Sequence, residues 1–169
     1  GYIKVNEYLE TSKKNIRAIG DANGTSMFRH TANKEAELVS SNIFRHADMK
    51  MDYSAIPHAV FTRPQIAGVG LGEETAKKNH KIYVGRARYY DVAKGEAMME
   101  TDGFAKAIVE KETYRIPGFH IIGPYAPMLV QEVVNAMRMR LTADAITRSI
   151  YVHPALPEVV QRAFGSLPL

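Results

Sequence analysis

The chain has 169 residues, 24% of them charged and 46% hydrophobic, with a formal net charge of +4; this excludes a disordered tract and leaves no room for two full-sized domains. It has no cysteine, which excludes a disulfide, a thiolate nucleophile and a cysteine-ligated metal within these residues. The longest apolar runs, such as Ile121-Ile122 and Met128-Leu129-Val130, are too short to span a bilayer.

In chain order, Tyr2-Ile3-Lys4-Val5 is strand-like, and a second apolar run, Ile16-Arg17-Ala18-Ile19, ends at Gly20-Asp21. Apolar positions Ala32, Ala36, Val39 and Ile43 recur at helical spacing and predict a helix from about Phe28 to Phe44. The polar stretch from Arg45 to Ser54 has no period and reads as a connector. Short strands follow at Ala59-Val60-Phe61-Thr62 and Ala67-Gly68-Val69-Gly70, around a turn at Arg63-Pro64-Gln65. Residues Glu73 to Lys78 make a short helix, acidic at its start and basic at its end. Three more strands are expected at Lys81 to Tyr89, Phe104 to Glu110 and Gly118 to Gly123, the last two joined by a turn from Thr113 to Pro117. Helical spacing returns from Leu129 to Met139; Thr142 is a candidate N-cap for Ala143 to Arg148, and a last helix follows Pro157. Strands clustered ahead of closing helices argue for an α+β fold, an antiparallel sheet with helices packed on it.

Chemistry concentrates in Val152-His153-Pro154-Ala155-Leu156-Pro157-Glu158. Histidine is the one side chain whose unperturbed pKa lies close to neutral pH, so a positioned ring can take and return a proton. Pro157 suits the first position of a helix, which puts Glu158 in its positively polarised first turn, within reach of one ring N–H of His153. A loop histidine beside an acid at a helix start also occurs for structural reasons alone. Gly20-Asp21, past the end of an apolar run, suits hydroxyl recognition, and a helix starting near Met27-Phe28 would aim its N–H groups at nearby negative charge, although taken alone Asp21 reads as a turn aspartate. The alternating Gly68, Gly70 and Gly72 do not make a phosphate loop, because Glu73 and Glu74 occupy the helix start where the anion would sit. Glu73/Glu74 and Glu110/Glu112 read as solvent-facing carboxylates, and none of the six histidines is paired with another at metal-ligand spacing. Lys13-Lys14, Lys77-Lys78 and Arg86/Arg88 are scattered without interleaved aromatics, so neither nucleic acid nor membrane is an expected partner. The first residues have neither the basic start nor the apolar core of a signal peptide, and the cytoplasm is the expected location.

Together, Thr11-Ser12 with Ile16-Arg17-Ala18-Ile19-Gly20-Asp21, His30-Thr31-Ala32-Asn33-Lys34-Glu35, "IPHAVFTRPQIAGVGL", "TDGFAKAIVEKET", "GFHIIGP" and "HPALPE" resemble, in order, the markers of the FAD-dependent pyridine nucleotide–disulfide oxidoreductases. That family includes dihydrolipoamide dehydrogenase, glutathione reductase and mycothione reductase. The resemblance implies that residues 1–50 are the C-terminal remnant of an α/β FAD-binding domain and 51–169 a dimerisation domain. It implies that Asp21, beside Gly20, hydrogen-bonds the ribityl chain of FAD, and that the backbone at Met27 and Phe28 faces the flavin edge. His153 would be the acid–base catalyst of dithiol–disulfide exchange and Glu158 its orienting partner, supplied across a twofold homodimer built on residues 56–169. The His153-Pro154 bond resembles one that is cis in relatives.

The family's glycine-rich fingerprint, its redox cysteine pair and its nicotinamide domain match nothing in this chain. A full-length parent would use FAD and NAD(P), whereas this chain alone is expected to be inactive and to bind neither. "HPALPEVV" stands where lipoamide and glutathione enzymes often carry "HPTxSE", which looks closer to mycothione-reductase-like branches. The first expectation for the parent is a dihydrolipoamide dehydrogenase-like enzyme acting on a small dithiol. The alternative is a mycothione or glutathione reductase-like enzyme, or an inert dimerisation module.

Overall fold

The structure is a computed structural model that describes residues 1–168. The chain forms two compact units, Gly1–Tyr53 and Ser54 onwards.

The first unit is built on one long helix, α1 (Arg29–Arg45). Before it, a short 3-10 turn at Gly20–Ala22 closes on Glu35, which is fully buried in α1. The Glu35 carboxylate accepts from Gly20 N–H at 2.5 Å, Asn23 Nδ2 at 3.1 Å and Tyr53 Oη at 2.5 Å. Gly20 has φ +62, the left-handed region glycine adopts without strain, and this turns its N–H onto the carboxylate. Burial and the Glu35 contact push the Tyr53 phenol up to about 12. Tyr53→Phe is expected to cost about 1.5 kcal/mol, the scale of a hydrogen bond to a charged group, read as a lower urea midpoint at constant slope.

The expected strands of this unit do not form. Tyr2 and Ile3 are 60% and 50% exposed, and a backbone bond runs from Ile3 N–H to Ala22 O, at 2.9 Å. The Ile16–Ile19 run makes a single bridge, between Arg17 and Glu10. A strand needs a neighbour to pair its N–H and C=O groups along its length, and the second run finds one only over Leu9 to Thr11, through Thr11 N–H to Ile16 O at 3.0 Å and Ala18 N–H to Leu9 O at 3.2 Å among the described residues.

The second unit is a five-stranded antiparallel sheet with β1 (Pro57–Val60), β2 (Ile66–Gly70), β3 (Ile82–Arg88), β4 (Phe104–Glu110) and β5 (Gly118–Ile122) in the order β1-β2-β5-β4-β3. Two cross-strand rows, Ala67–Ile121–Ala105–Ala87 and Val69–Phe119–Ala107, form the buried face. Onto it pack α4 (Ala126–Arg138), over the β1-β2-β5 side, and α6 (Pro157–Gly165), over β3 and β4. Val130 and Val133 from α4 and Val159, Val160, Ala163 and Phe164 from α6 complete the core. The Phe119 and Phe164 rings stack at 5.8 Å, nearly parallel at 11°. A shorter helix, α2 (Glu73–Asn79), follows β2 as its acid-to-base pattern predicts.

Elsewhere the structure departs from the sequence pattern. Between β3 and β4 lie a 3-10 turn at Tyr89–Asp91 and α3 (Ala93–Ala97), unannounced because Gly95 sits in a helix too short to show a period. Thr142 is no N-cap: it bridges to Arg115, and α5 (Asp144–Thr147) starts from Ala143.

Surface carboxylates set the response to acid. Glu73 accepts from Lys77 at 2.9 Å, Arg86 at 2.8 Å and Lys106 at 3.2 Å, and the Lys77 and Lys106 bonds chiefly hold its carboxyl down to about 2. Asp91, held by the Arg88 N–H, and Glu110, held by Thr113 and His80, also lie below the usual range. Depressed carboxyls contribute stability that is present above the unfolded-chain value of about 4.5 and lost as pH falls below it. The urea midpoint is therefore expected to fall steadily from pH 4.5 to pH 2.5, and less steeply in Glu73→Gln. An unchanged slope would remove Glu73 from this account.

Candidate functional site

The loop between α5 and α6 carries His153, and several contacts hold it in place. Gln161 Nε2 on α6 donates to Ser149 O at 3.1 Å. Tyr151 Oη donates to Glu132 Oε2 on α4 at 2.7 Å. Burial pushes both the Tyr151 phenol and the Glu132 carboxyl up, which keeps this link a hydrogen bond inside the packed layer.

Pro157 opens α6, as its fixed φ favours, and Glu158 follows in the first turn. The Glu158 carboxylate then faces back over the loop. His153 Nδ1–H donates to Oε1 at 2.8 Å, and Ala155 N–H donates to Oε2 at 2.8 Å. The Ala155 N–H, and after it His153, hold the Glu158 carboxyl below the usual range. The Glu158 side chain is 19% exposed and that of His153 is 68%, so the acid is sheltered and the ring is presented. With Nδ1 committed to the carboxylate, Nε2 is left to accept or return a proton. The His153-Pro154 bond is cis.

Both residues line an open concavity with Asp91, Gln161, Arg162 and Ser166. The sequence reading did not single these out, nor the Ala155 N–H; the one signal available was Arg162, a helical turn after Glu158. A second imidazole–carboxylate pair, His80 with Glu110 at 2.8 Å, ties the end of α2 to the end of β4. Contact chemistry alone therefore does not single out His153; the distinguishing features are its presented ring and its place in a concavity.

The other predicted residues lie in the first unit. Gly20 and Asp21 form the 3-10 turn, with Gly20 buried and Asp21 exposed. Met27 and Phe28 precede α1, 52% and 40% exposed, and the Phe28 ring stacks on His30 at 5.3 Å. The N-terminus of α1 has no side-chain cap and no acid in its first turn. The helix start therefore carries the positive end of the α1 dipole with no acid to offset it. An exposed carboxylate at Asp21 and an acid-free helix start are residue types that would suit the hydroxyls and the electron-rich edge of a flavin. Among the described residues, no group of three or more His, Cys, Asp or Glu could hold a metal, and no helix is long and apolar enough to cross a membrane.

Residues 56–164 match the pyridine nucleotide-disulphide oxidoreductase dimerisation domain. Mycothione reductase of Mycobacterium tuberculosis is 41% identical over 99% of the chain, and dihydrolipoyl dehydrogenase of Chlamydia pneumoniae 37% identical over 94%. The chain spans 38% and 34% of those proteins. Among solved structures, the HOCl-induced flavoprotein disulfide reductase RclA of Escherichia coli aligns with 98% of the chain at a TM-score of 0.86 and 25% identity, over 38% of its own length. LpdA of Mycobacterium tuberculosis shares the fold, at a TM-score of 0.90 and 21% identity over 97% of the chain and 36% of its own. The chain belongs to the pyridine nucleotide–disulphide oxidoreductases and carries their dimerisation domain.

Proposed function

We propose that this chain is the dimer-forming, acid–base-supplying portion of an FAD-dependent, NAD(P)-linked disulfide reductase. The observation that carries the reading is the His153–Glu158 pair, a presented imidazole whose inner nitrogen is bonded to a sheltered carboxylate. A substrate thiol gives its proton to His153 Nε2 and becomes the attacking thiolate; in the reverse direction His153 returns the proton to the leaving thiolate. Glu158 holds the ring and balances the charge that the proton brings.

In this reading residues 1–50 are the end of the FAD-binding domain and residues 51–169 the dimerisation domain. Asp21, next to Gly20, accepts hydroxyl hydrogen bonds from the flavin chain, and the N–H groups following Met27 and Phe28 face its ring edge. FAD, when bound, passes electrons between the nicotinamide nucleotide and the disulfide. Residues 56–169 pair with a second copy, and the dyad of one protomer serves its partner. Sedimentation is expected to give a dimer; a chain monomeric at high concentration would count against that pairing.

For the substrate, the reading favours the disulfide of a low-molecular-weight thiol over dihydrolipoamide, reversing the first expectation from sequence. Support comes from the 41% identity to a mycothione reductase and from "HPALPE" in place of "HPTxSE". The 37% identity to a dihydrolipoyl dehydrogenase keeps lipoamide as the second reading. Steady-state assays of the full-length protein with NADH or NADPH decide between them. Higher kcat/KM for mycothione disulfide than for lipoamide is expected, and the opposite order would restore the lipoamide reading.

A further inference from the structure

On the sheet face opposite α4 and α6, one row of residues crosses all five strands: His58 on β1, Gly68 on β2, His120 on β5, Lys106 on β4 and Arg86 on β3. Gly68 has no side chain, and the rings of His58 and His120 lean over it from either side, centroids 6.0 Å apart and planes tilted by 44°. His120 Nδ1 and His58 Nε2 both lie under 3.0 Å from the point where a Cβ on Gly68 would stand. Two ring nitrogens on separate strands thus converge on one small volume that any other residue at position 68 would fill.

Neighbours set the state of each ring. His120 Nε2 is 3.0 Å from the Leu71 carbonyl, so that nitrogen carries the hydrogen and Nδ1 keeps its lone pair. Burial disfavours the charged form of the His58 ring. The two cations further along the row are already matched: Glu73 accepts from Lys106 at 3.2 Å and from Arg86 at 2.8 Å.

We propose that His58 and His120 form a binding site for a late first-row divalent cation, Ni2+, Cu2+ or Zn2+, held between His120 Nδ1 and His58 Nε2 with water completing its coordination. Neutral imidazole is a preferred ligand for all three ions, at metal–nitrogen distances of about 2.0–2.1 Å for zinc. The carbonyl on the far nitrogen of His120 is the outer partner that metal-bound histidines keep, fixing tautomer and aim. Two protein ligands and no carboxylate make an exchangeable site, with Cu2+ bound more tightly than Ni2+ or Zn2+. None of its residues belongs to the His153–Glu158 dyad, so the proposal stands or falls apart from the disulfide reading.

Calorimetric titration of the 169-residue chain with Zn2+ and Ni2+ tests it. One tightest-binding ion per chain is expected. His58→Ala and His120→Ala should each weaken it by at least about tenfold, the loss caused by removing even an outer partner of a metal ligand. Gly68→Ala should do the same with both imidazoles present, while His80→Ala and His153→Ala leave it unchanged. Unchanged affinity in His58→Ala, loss in His80→Ala or His153→Ala instead, or no binding by the parent chain would overturn the proposal. Should Gly68→Ala not fold, the two histidine variants decide alone.

Discussion

His153→Gln in the full-length protein is expected to slow thiol–disulfide exchange by about 10²–10⁴-fold, the range that a positioned acid–base group contributes. Reduction of the flavin by nicotinamide nucleotide should proceed at the parent rate, because His153 acts only on the sulfur side in the proposed cycle. Stopped-flow measurement of the two half-reactions separates these outcomes. Glutamine keeps a donor and bulk in the loop but cannot cycle a proton near neutral pH. Glu158→Gln should fall between parent and His153→Gln. Its single side-chain oxygen can serve either His153 Nδ1–H or Ala155 N–H, and its amide hydrogens would face the other donor. Its exchange rate should also show a displaced pH profile, which a merely structural role for Glu158 would not produce. Equal exchange rates for His153→Gln and the parent would remove the imidazole from the mechanism.

Legibility in the sequence tracked how locally each feature is encoded. Strand β4 falls on the expected Phe104–Glu110, and α1 is displaced by one residue from its expected span, because the helix carries its own period. The helix start at Pro157-Glu158 was readable for the same reason: proline at the first position and an acid in the first turn are local signals. These local signals alone bring His153 and Glu158 together. The Tyr2–Val5 segment failed as a strand because strand formation depends on a neighbour, which its own residues cannot specify. His58 and His120 lie 62 positions apart in sequence and meet only through the β1-β2-β5 register, and no spacing rule reveals that. The same holds for Glu35, whose partners at Gly20, Asn23 and Tyr53 come from both sides of α1.

Phe164→Ala should produce the largest loss of stability among single changes in the second unit, about 3–5 kcal/mol. Phe164 is fully buried, stacks on the equally buried Phe119 of β5, and sits on α6 where that helix crosses β3 and β4. Truncation removes the transfer free energy of the ring and leaves a cavity that strands and helix are too constrained to close. In a chain of this size the melting temperature should fall on the order of 10 °C, with the urea slope unchanged. Val159, Val160 and Ala163 still anchor α6, so Glu158 should stay seated and the disulfide-exchange rate at low temperature should change little. Phe119→Ala should cost a similar amount, and the double variant less than the two together, with a coupling of about 0.5–1.5 kcal/mol for the stacked pair. Additive costs in that cycle would mean that the two rings fill separate spaces, and that α6 is held to the sheet by its valines.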